Sequence, residues 1–243
     1  MKKLFLFAFL FISVSAFSQD YYYKVTTMRA APGRLMELID LLKEDMKNHN
    51  QLGIREPFLM RHSQGDHWDL LMIYPIGTSL SEHFSNTAIG RRMRSKTQDQ
   101  SYDSEYFNHI SFQEEQIVQG PDFIEFNKRF KEFDYYHVEV FRALAGKRSE
   151  LLKQRKMENV YLEGIERDTN LIFTKVMGGE ADIFTLGFYR DIKHFAESAD
   201  IPIEKEDAAA KAAGFESVYT ISPYLRSLII KHYDTLAPAV RLD

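Results

Sequence analysis

The feature that most constrains this chain is that it repeats itself. The segment Tyr22-Tyr23-Lys24-Val25-Thr26-Thr27-Met28-Arg29-Ala30-Ala31-Pro32-Gly33-Arg34 returns as Tyr135-Tyr136-His137-Val138-Glu139-Val140-Phe141-Arg142-Ala143-Leu144-Ala145-Gly146-Lys147, at a constant offset of 113 residues. Eight of the seventeen positions from Tyr22 to Leu38 are identical at that offset, where chance gives about one. Two supersecondary units of one kind are therefore expected, each with an apolar face that only its neighbour can cover.

The units proceed alike. Alternation over Tyr22–Arg29 predicts a strand, ended by Ala31-Pro32-Gly33. Leu35, Leu38, Leu42 and Met46 follow at helical spacing. Phe58–His62 and Trp68–Tyr74 read as strands joined by the turn Ser63-Gln64-Gly65-Asp66, then a mostly helical segment from Ser79 to about Gln100 and a fourth strand over Ile110–Val118. In the second unit the counterparts are Tyr135–Arg142, Ser149–Leu162, Leu171–Val176, Asp182–Tyr189, Ile203–Ala213 and Leu225–Tyr233. Between the units, Phe123, Phe126, Phe130 and Phe133 suit a short helix at the junction.

Each unit is thus a β-α-β-β-α-β pattern, which makes a four-stranded antiparallel sheet with both helices on one face. The expected class is α+β: two tandem ferredoxin-like repeats forming one pseudo-dimeric α+β barrel. Residues 19–120 form the first repeat, 121–134 a connecting segment and 135–243 the second repeat.

The tandem pattern resembles the dimeric α+β barrel superfamily, which includes antibiotic-biosynthesis-type and haem-degrading monooxygenases, EthD-like proteins, NIPSNAP proteins and chlorite dismutases. The strand-turn piece from Tyr136 to Lys147 and the strand Asp182-Ile183-Phe184-Thr185-Leu186-Gly187-Phe188-Tyr189 resemble NIPSNAP-type segments most. The likeness spans nearly all of residues 21–234 as hydrophobic pattern and topology, and brings no catalytic signature.

The start of the chain bears on compartment. Lys2 and Lys3 precede an apolar run from Leu4 to Ala16, and Ala16-Phe17-Ser18 is a small-x-small exit before Gln19. Residues 1–18 read as a cleavable signal peptide, which makes the mature protein periplasmic or secreted. Losing Lys2 and Lys3 moves the formal charge from −4 to −6, which disfavours nucleic acid as a partner. Nothing after residue 18 has the length of a membrane span. With no cysteine, thiolate nucleophiles, thiolate metal sites and disulfides are excluded. A homo-oligomer is compatible with all of this.

Period-two alternation places Tyr23, Val25 and Thr27 opposite Lys24, Thr26 and Met28, and Tyr136, Val138 and Val140 opposite His137, Glu139 and Phe141. The aliphatic sets are expected under the helices, and the mixed sets in the space between the sheets. Trp68, Met72, Tyr74, Phe141 and Tyr189 are then the candidate cavity lining, suited to a small apolar or aromatic molecule. Asp69 and Asp182, again 113 apart, are expected to brace the strand starts.

His137, Glu139 and His232 are the candidate catalytic set, since a histidine beside a carboxylate can act as a general base. His62, His67 and Asp69 could ligate iron or zinc. The absence of a histidine counterpart to His67 at Glu180 argues against it, so no metal site is read.

For haem, the resemblance implies an Asn, a Trp and a His. Tyr74 falls where the Trp would lie, and Phe84 near the expected His, with His83 one residue off. The Asn is absent, with Lys24, Thr26 and Met28 at the inward sites. An axial histidine late in the chain would have to be His194 or His232, beyond His137. The basic run Arg91-Arg92-Met93-Arg94-Ser95-Lys96 reads as a solvated helix face. The cofactor stays open. The reading is an exported small-molecule-binding barrel, either an oxygenase-type or haem-related enzyme or a non-catalytic structural or protein-interaction scaffold.

Overall fold

The computed structural model describes residues 21–51, 55–65, 68–90 and 100–242. The signal-peptide segment, His67 and the basic run from Arg91 to Lys96 lie outside the described residues. Among the described residues, nine strands make one antiparallel sheet with helices on it. The first half contains β1 (Tyr21–Ala30), α1 (Leu35–Gln51), β2 (Phe58–Arg61), β3 (Gln64–Gly65), β4 (Leu70–Gly77), α2 (Leu80–His83), α3 (Gln100–Asn108) and β5 (Ile110–Gly120). The junction is α4 (Phe123–Glu132), the helix that its phenylalanine spacing predicts. There follow β6 (Tyr135–Ala143), α5 (Arg148–Gly164), β7 (Leu171–Gly178), β8 (Ile183–Tyr189), α6 (Ile192–Ala196), α7 (Ile203–Ala212), α8 (Val218–Arg226) and β9 (Ile229–Pro238).

The strand order is β2-β4-β1-β5-β7-β8-β6-β9-β3. Its two halves, β2-β4-β1-β5 and β7-β8-β6-β9, share one topology and meet where β5 pairs antiparallel with β7. At the outer edges Gln64 pairs with Leu236, Gly65 with Thr235, and Met60 bridges Ala239. Gly65, at φ 111°, runs so close to the Asp234 carbonyl that no Cβ would fit. The turns that launch α1 and α5 are alike: Gly33 and Gly146 have φ of 77° and 78°.

Two expected elements differ. The stretch from Ser63 is not a tight hairpin turn, because Gln64 and Gly65 pair across to β9. The last strand starts at Ile229 rather than Leu225. Val218, Ile221 and Leu225 recur at helical spacing, and Ser217 and Thr220 close a capping box at the start of α8.

The faces are the reverse of the expectation. Tyr23 and Val25 do not pack under the helices. They share one core with Tyr136 and Val138 of the other half and with Phe126 and Phe130 of α4. Met28, Leu70 and Met72 instead pack beneath α1 on Leu38, Leu42 and Met46. Phe141 and Ile183 pack beneath α5 and α8 on Leu151, Leu225 and Leu228. The physical reason is that both faces of this sheet are covered, so both carry apolar residues and polarity no longer marks the side. The aromatic side chains fill the space between the halves, where α4 enters. The Phe126 and Phe58 rings stack with centroids 3.9 Å apart, and those of Phe130 and Tyr136 stack at 4.9 Å.

Candidate functional site

Away from α4 the inner face is not filled. A cavity of about 300 Å³ lies there, with Val25, Trp68, Leu71, Val138, Val140 and Phe184 among its walls. Glu114, Gln116, Glu180 and Lys231 add polar groups. Glu180 and Lys231, 3.4 Å apart as an ion pair, lie at its rim with side chains about half exposed. Such a volume, with walls polar and apolar in about equal share, suits a small molecule.

Trp68 reaches this cavity by an irregularity. It precedes β4, and Asp69 bends the chain between Trp68 and Leu70. Asp69 is fixed there by accepting a hydrogen bond from the Ala30 N–H at 2.8 Å. Asp182 does the same for the Ala143 N–H at 3.0 Å and pairs with Lys175 at 2.9 Å. Burial works against ionisation of Asp182, but Lys175 and the Ala143 N–H outweigh it and hold the carboxyl below its ordinary range.

On the opposite face of β6 and β9, beneath α5, lies a second constellation. His137 and Glu139 project from β6 while His232 and Asp234 project from the neighbouring β9, whose register sets Glu139 across from Asp234. His137 Nε2 lies 2.8 Å from Asp234 Oδ1, and His232 Nε2 lies 3.3 Å from Glu139 Oε1 and 3.6 Å from Asp234 Oδ2. His232 Nε2 is buried and poorly aligned for hydrogen bonding, and its approach to Glu139 helps to keep that carboxylate ionised. Glu139 Oε2 accepts from Thr185 Oγ1 at 3.0 Å and from Arg155 Nη1 at 3.4 Å.

Arg155 comes from α5 and is 2% exposed, a buried charge that must be partnered. It donates to Gln154 Oε1 at 2.7 Å, pairs with Glu158, and lies over the Phe141 ring at 4.5 Å. Burial opposes ionisation of Glu139. The His232 imidazole, the Arg155 guanidinium and His137 outweigh it and hold that carboxyl well below the usual range. Glu158 is pushed up by burial despite Arg155. Burial would lower His137, but Asp234 and Glu139 reverse this and raise it.

The structure therefore brings His137, Glu139 and His232 together, on the helix side of the sheet and not on the cavity side. Phe141 belongs to the same place, stacked on His232 at 4.7 Å. Tyr189 lies beside it, packing on Phe195, which in turn meets His137 at 5.3 Å. Of the five candidate lining residues only Trp68 borders the cavity. Met72 and Tyr74 face α1, where Tyr74 donates to Asp45 at 3.4 Å. The sequence reading missed Asp234, Arg155, Gln154 and Glu158. Asp234 was reachable, being two residues past His232 on one strand face. His62 and Asp69 do not converge through their side chains: His62 packs edge-on to Trp68 at 6.0 Å, while Asp69 serves Ala30.

Comparison with known proteins agrees with the fold. No protein-family model matches the sequence, and no curated protein matches it. Among solved structures, an anthrone oxidase-like protein superposes with a TM-score of 0.60 at 12% identity, over 94% of each chain. A mutant chlorite dismutase from Candidatus Nitrospira defluvii gives 0.48 at 11% over 93% of each, and a heme-binding protein from Thermus thermophilus gives 0.47 at 9% over 92% of each. The chain thus shares its fold with that anthrone oxidase-like protein.

The late histidines that the sequence offers to a haem iron, His137, His194 and His232, lie away from the cavity. Among the described residues lining the cavity there is no histidine or methionine. His232 is sandwiched between Phe141 and the Glu139 carboxylate, and His194 Nδ1 accepts the Arg190 N–H at 3.1 Å beside the Tyr189 ring.

Proposed function

We propose that the chain is an exported small-molecule-binding protein that takes a small, largely apolar or aromatic ligand beside Trp68, between two tandem repeats closed as one barrel. The cavity carries this reading. Its walls pair positions related by the repeat offset: Val25 with Val138, Thr27 with Val140, Leu71 with Phe184, and Trp68 with Ala181. That pairing supports a duplicated unit folded face to face. Closure is supported by β2 and β3, consecutive in the chain, which contact opposite edges of the sheet. Export is supported by the pattern of residues 1–18, and a mature mass starting elsewhere than Gln19 speaks against it.

The pocket is asymmetric, since Trp68 is matched in the second half by the small Ala181. This leaves the open volume on the second half's side. Trp68 is the sole tryptophan, so its fluorescence reports occupancy directly. Titration with small aromatic hydrocarbons and phenols is expected to quench or shift it saturably. Ala181→Trp, which fills the space, is expected to abolish the response while the chain still melts cooperatively. An unsaturable response, or one unchanged by Ala181→Trp, defeats the proposal. An oxygenase acting on such a ligand is its catalytic form, tested by mass spectrometry of the ligand after aerobic incubation.

A further inference from the structure

We propose that His137, Glu139, Asp234 and His232 form a binding site for one divalent first-row transition-metal ion. The site is independent of the cavity, although both use the same strands. Val138, Val140 and Tyr233 face the cavity, while His137, Glu139, His232 and Asp234 face the other side of β6 and β9.

Donor geometry is the first argument. One ligand atom from each of His137, Glu139 and Asp234 lies within 4.8 Å of the other two. Ligand atoms about 2.0–2.2 Å from a single ion are at most about 4.4 Å from one another, so small rotamer shifts suffice. His232 Nε2, at 3.3 Å and 3.6 Å from the two carboxylates, lies outside that three-residue cluster and near enough to join it as a fourth donor after a rotamer shift. It is also a buried nitrogen without a hydrogen-bond partner, an arrangement that costs stability unless something binds it.

Charge is the second. Arg155 pairs with both Glu158 and Glu139, so those two carboxylates and Asp234 leave two negative charges in excess, facing two imidazoles. A divalent ion neutralises that excess and leaves both imidazoles neutral, the form that ligates.

Support from outside the donors is the third. Thr185 and Arg155 both hold Glu139 Oε2, so Oε1 is turned toward His232, in the way outer partners orient a ligating carboxylate. Asp234 is 53% exposed, which provides an entry path and room for water on the ion. Two imidazoles with carboxylates and no thiolate favour iron(II), cobalt(II), nickel(II) or zinc over copper(I), calcium or magnesium.

The probes are Co²⁺ and Zn²⁺ added to the purified full chain after chelator treatment. Calorimetry is expected to show saturation at one ion per chain, with a visible d–d band for Co²⁺ and a raised melting temperature. Asp234→Asn, at a half-exposed position that tolerates the change, is expected to weaken binding at least about tenfold. His137→Ala and His232→Ala should do the same, and circular dichroism checks that they fold. His194→Ala, outside the cluster, should leave affinity unchanged. No saturable uptake by the wild type overturns the proposal, as does uptake that Asp234→Asn leaves intact. Loss of Trp68 ligand response without loss of metal binding would strike the cavity reading alone.

Discussion

Beneath α1 and beneath α5 the same patch of sheet is built from opposite chemistry. At the offset of 113, Thr26, Met28, Met72 and Leu42 of the first half correspond to Glu139, Phe141, Thr185 and Arg155 of the second. The first patch is dry: Met28, Leu42 and Met72 are buried in one apolar cluster. An ion pair nearby, Lys24 with Glu115 at 2.9 Å, sits at the solvent edge. The second patch encloses a guanidinium and a carboxylate with Gln154 and Thr185. One backbone frame thus accepts either solution. The apolar one needs nothing from the rest of the molecule, whereas the charged one stands only because its charges find partners. A fold that could have used leucine and instead buries Arg155 points to a role beyond packing for the second patch.

The largest expected effect comes from breaking that partnership. Arg155→Leu restores the first half's residue at the matched position but takes the buried guanidinium away from Glu139, and is expected to cost about 3–5 kcal/mol. Adding the first-half residue at Glu139 and neutralising Glu158, as Glu139→Thr/Arg155→Leu/Glu158→Gln, removes the orphaned charges together. Buried ion networks replaced by apolar groups are often neutral or stabilised, so this variant is expected within about 1 kcal/mol of wild type or above it. Urea denaturation of both variants checks this. If Arg155→Leu alone is harmless, the contrast between the halves is not energetic and the comparison fails.

The two halves also differ at the carboxylates that brace their strand starts. Asp69 and Asp182 each accept a backbone N–H, but Asp182 adds the Lys175 pair at 2.9 Å. Asp182→Asn is expected to cost about 1.5–3 kcal/mol at neutral pH, the range for hydrogen bonds to charged groups. The native Asp182 carboxyl is depressed, so its contribution is complete above the unfolded value of about 3.9 and vanishes as pH falls through the native one. Wild type and Asp182→Asn should therefore converge in stability as pH falls below the ordinary carboxylate range and through the depressed native value. A gap that persists in acid would mean that Asp182 acts through packing instead of charge.

How much of this was legible follows from what each residue had to signal. The strands and α1, α5 and α4 announce themselves by period, and the repeat fixes their order. The side of the sheet did not, because aromatic residues on one face and aliphatic residues on the other are both buried, one by the opposite half and one by helices. Trp68 looked like a strand residue until Asp69 bent the chain beside it. The convergence of His137, Glu139 and His232 could be read from two strands of one face. Arg155 could not, since a lone arginine amid the charges of α5 is unremarkable until it is set against Leu42 at the offset of 113.

The smallest expected effect concerns the edge of the first patch, where Lys24 occupies the position matched by His137. Lys24 and Glu115 lie 2.9 Å apart, but their side chains are 35% and 45% exposed. Water and salt screen such a pair, and holding two long side chains in one geometry costs entropy. Lys24 also sits 5.3 Å from the Tyr74 ring centroid, a contact that remains half-solvated. Lys24→Ala is therefore expected to change stability by less than about 1 kcal/mol, and that small difference should shrink further in molar salt. Its counterpart His137 meets Asp234 at a nearly identical 2.8 Å, yet that pair adjoins the buried Glu139. Equal distances with unequal surroundings make the two positions a direct test of whether burial, not contact, sets the energy. A Lys24→Ala loss above about 2 kcal/mol would exceed what an exposed pair supplies and would place the first patch in the same class as the second.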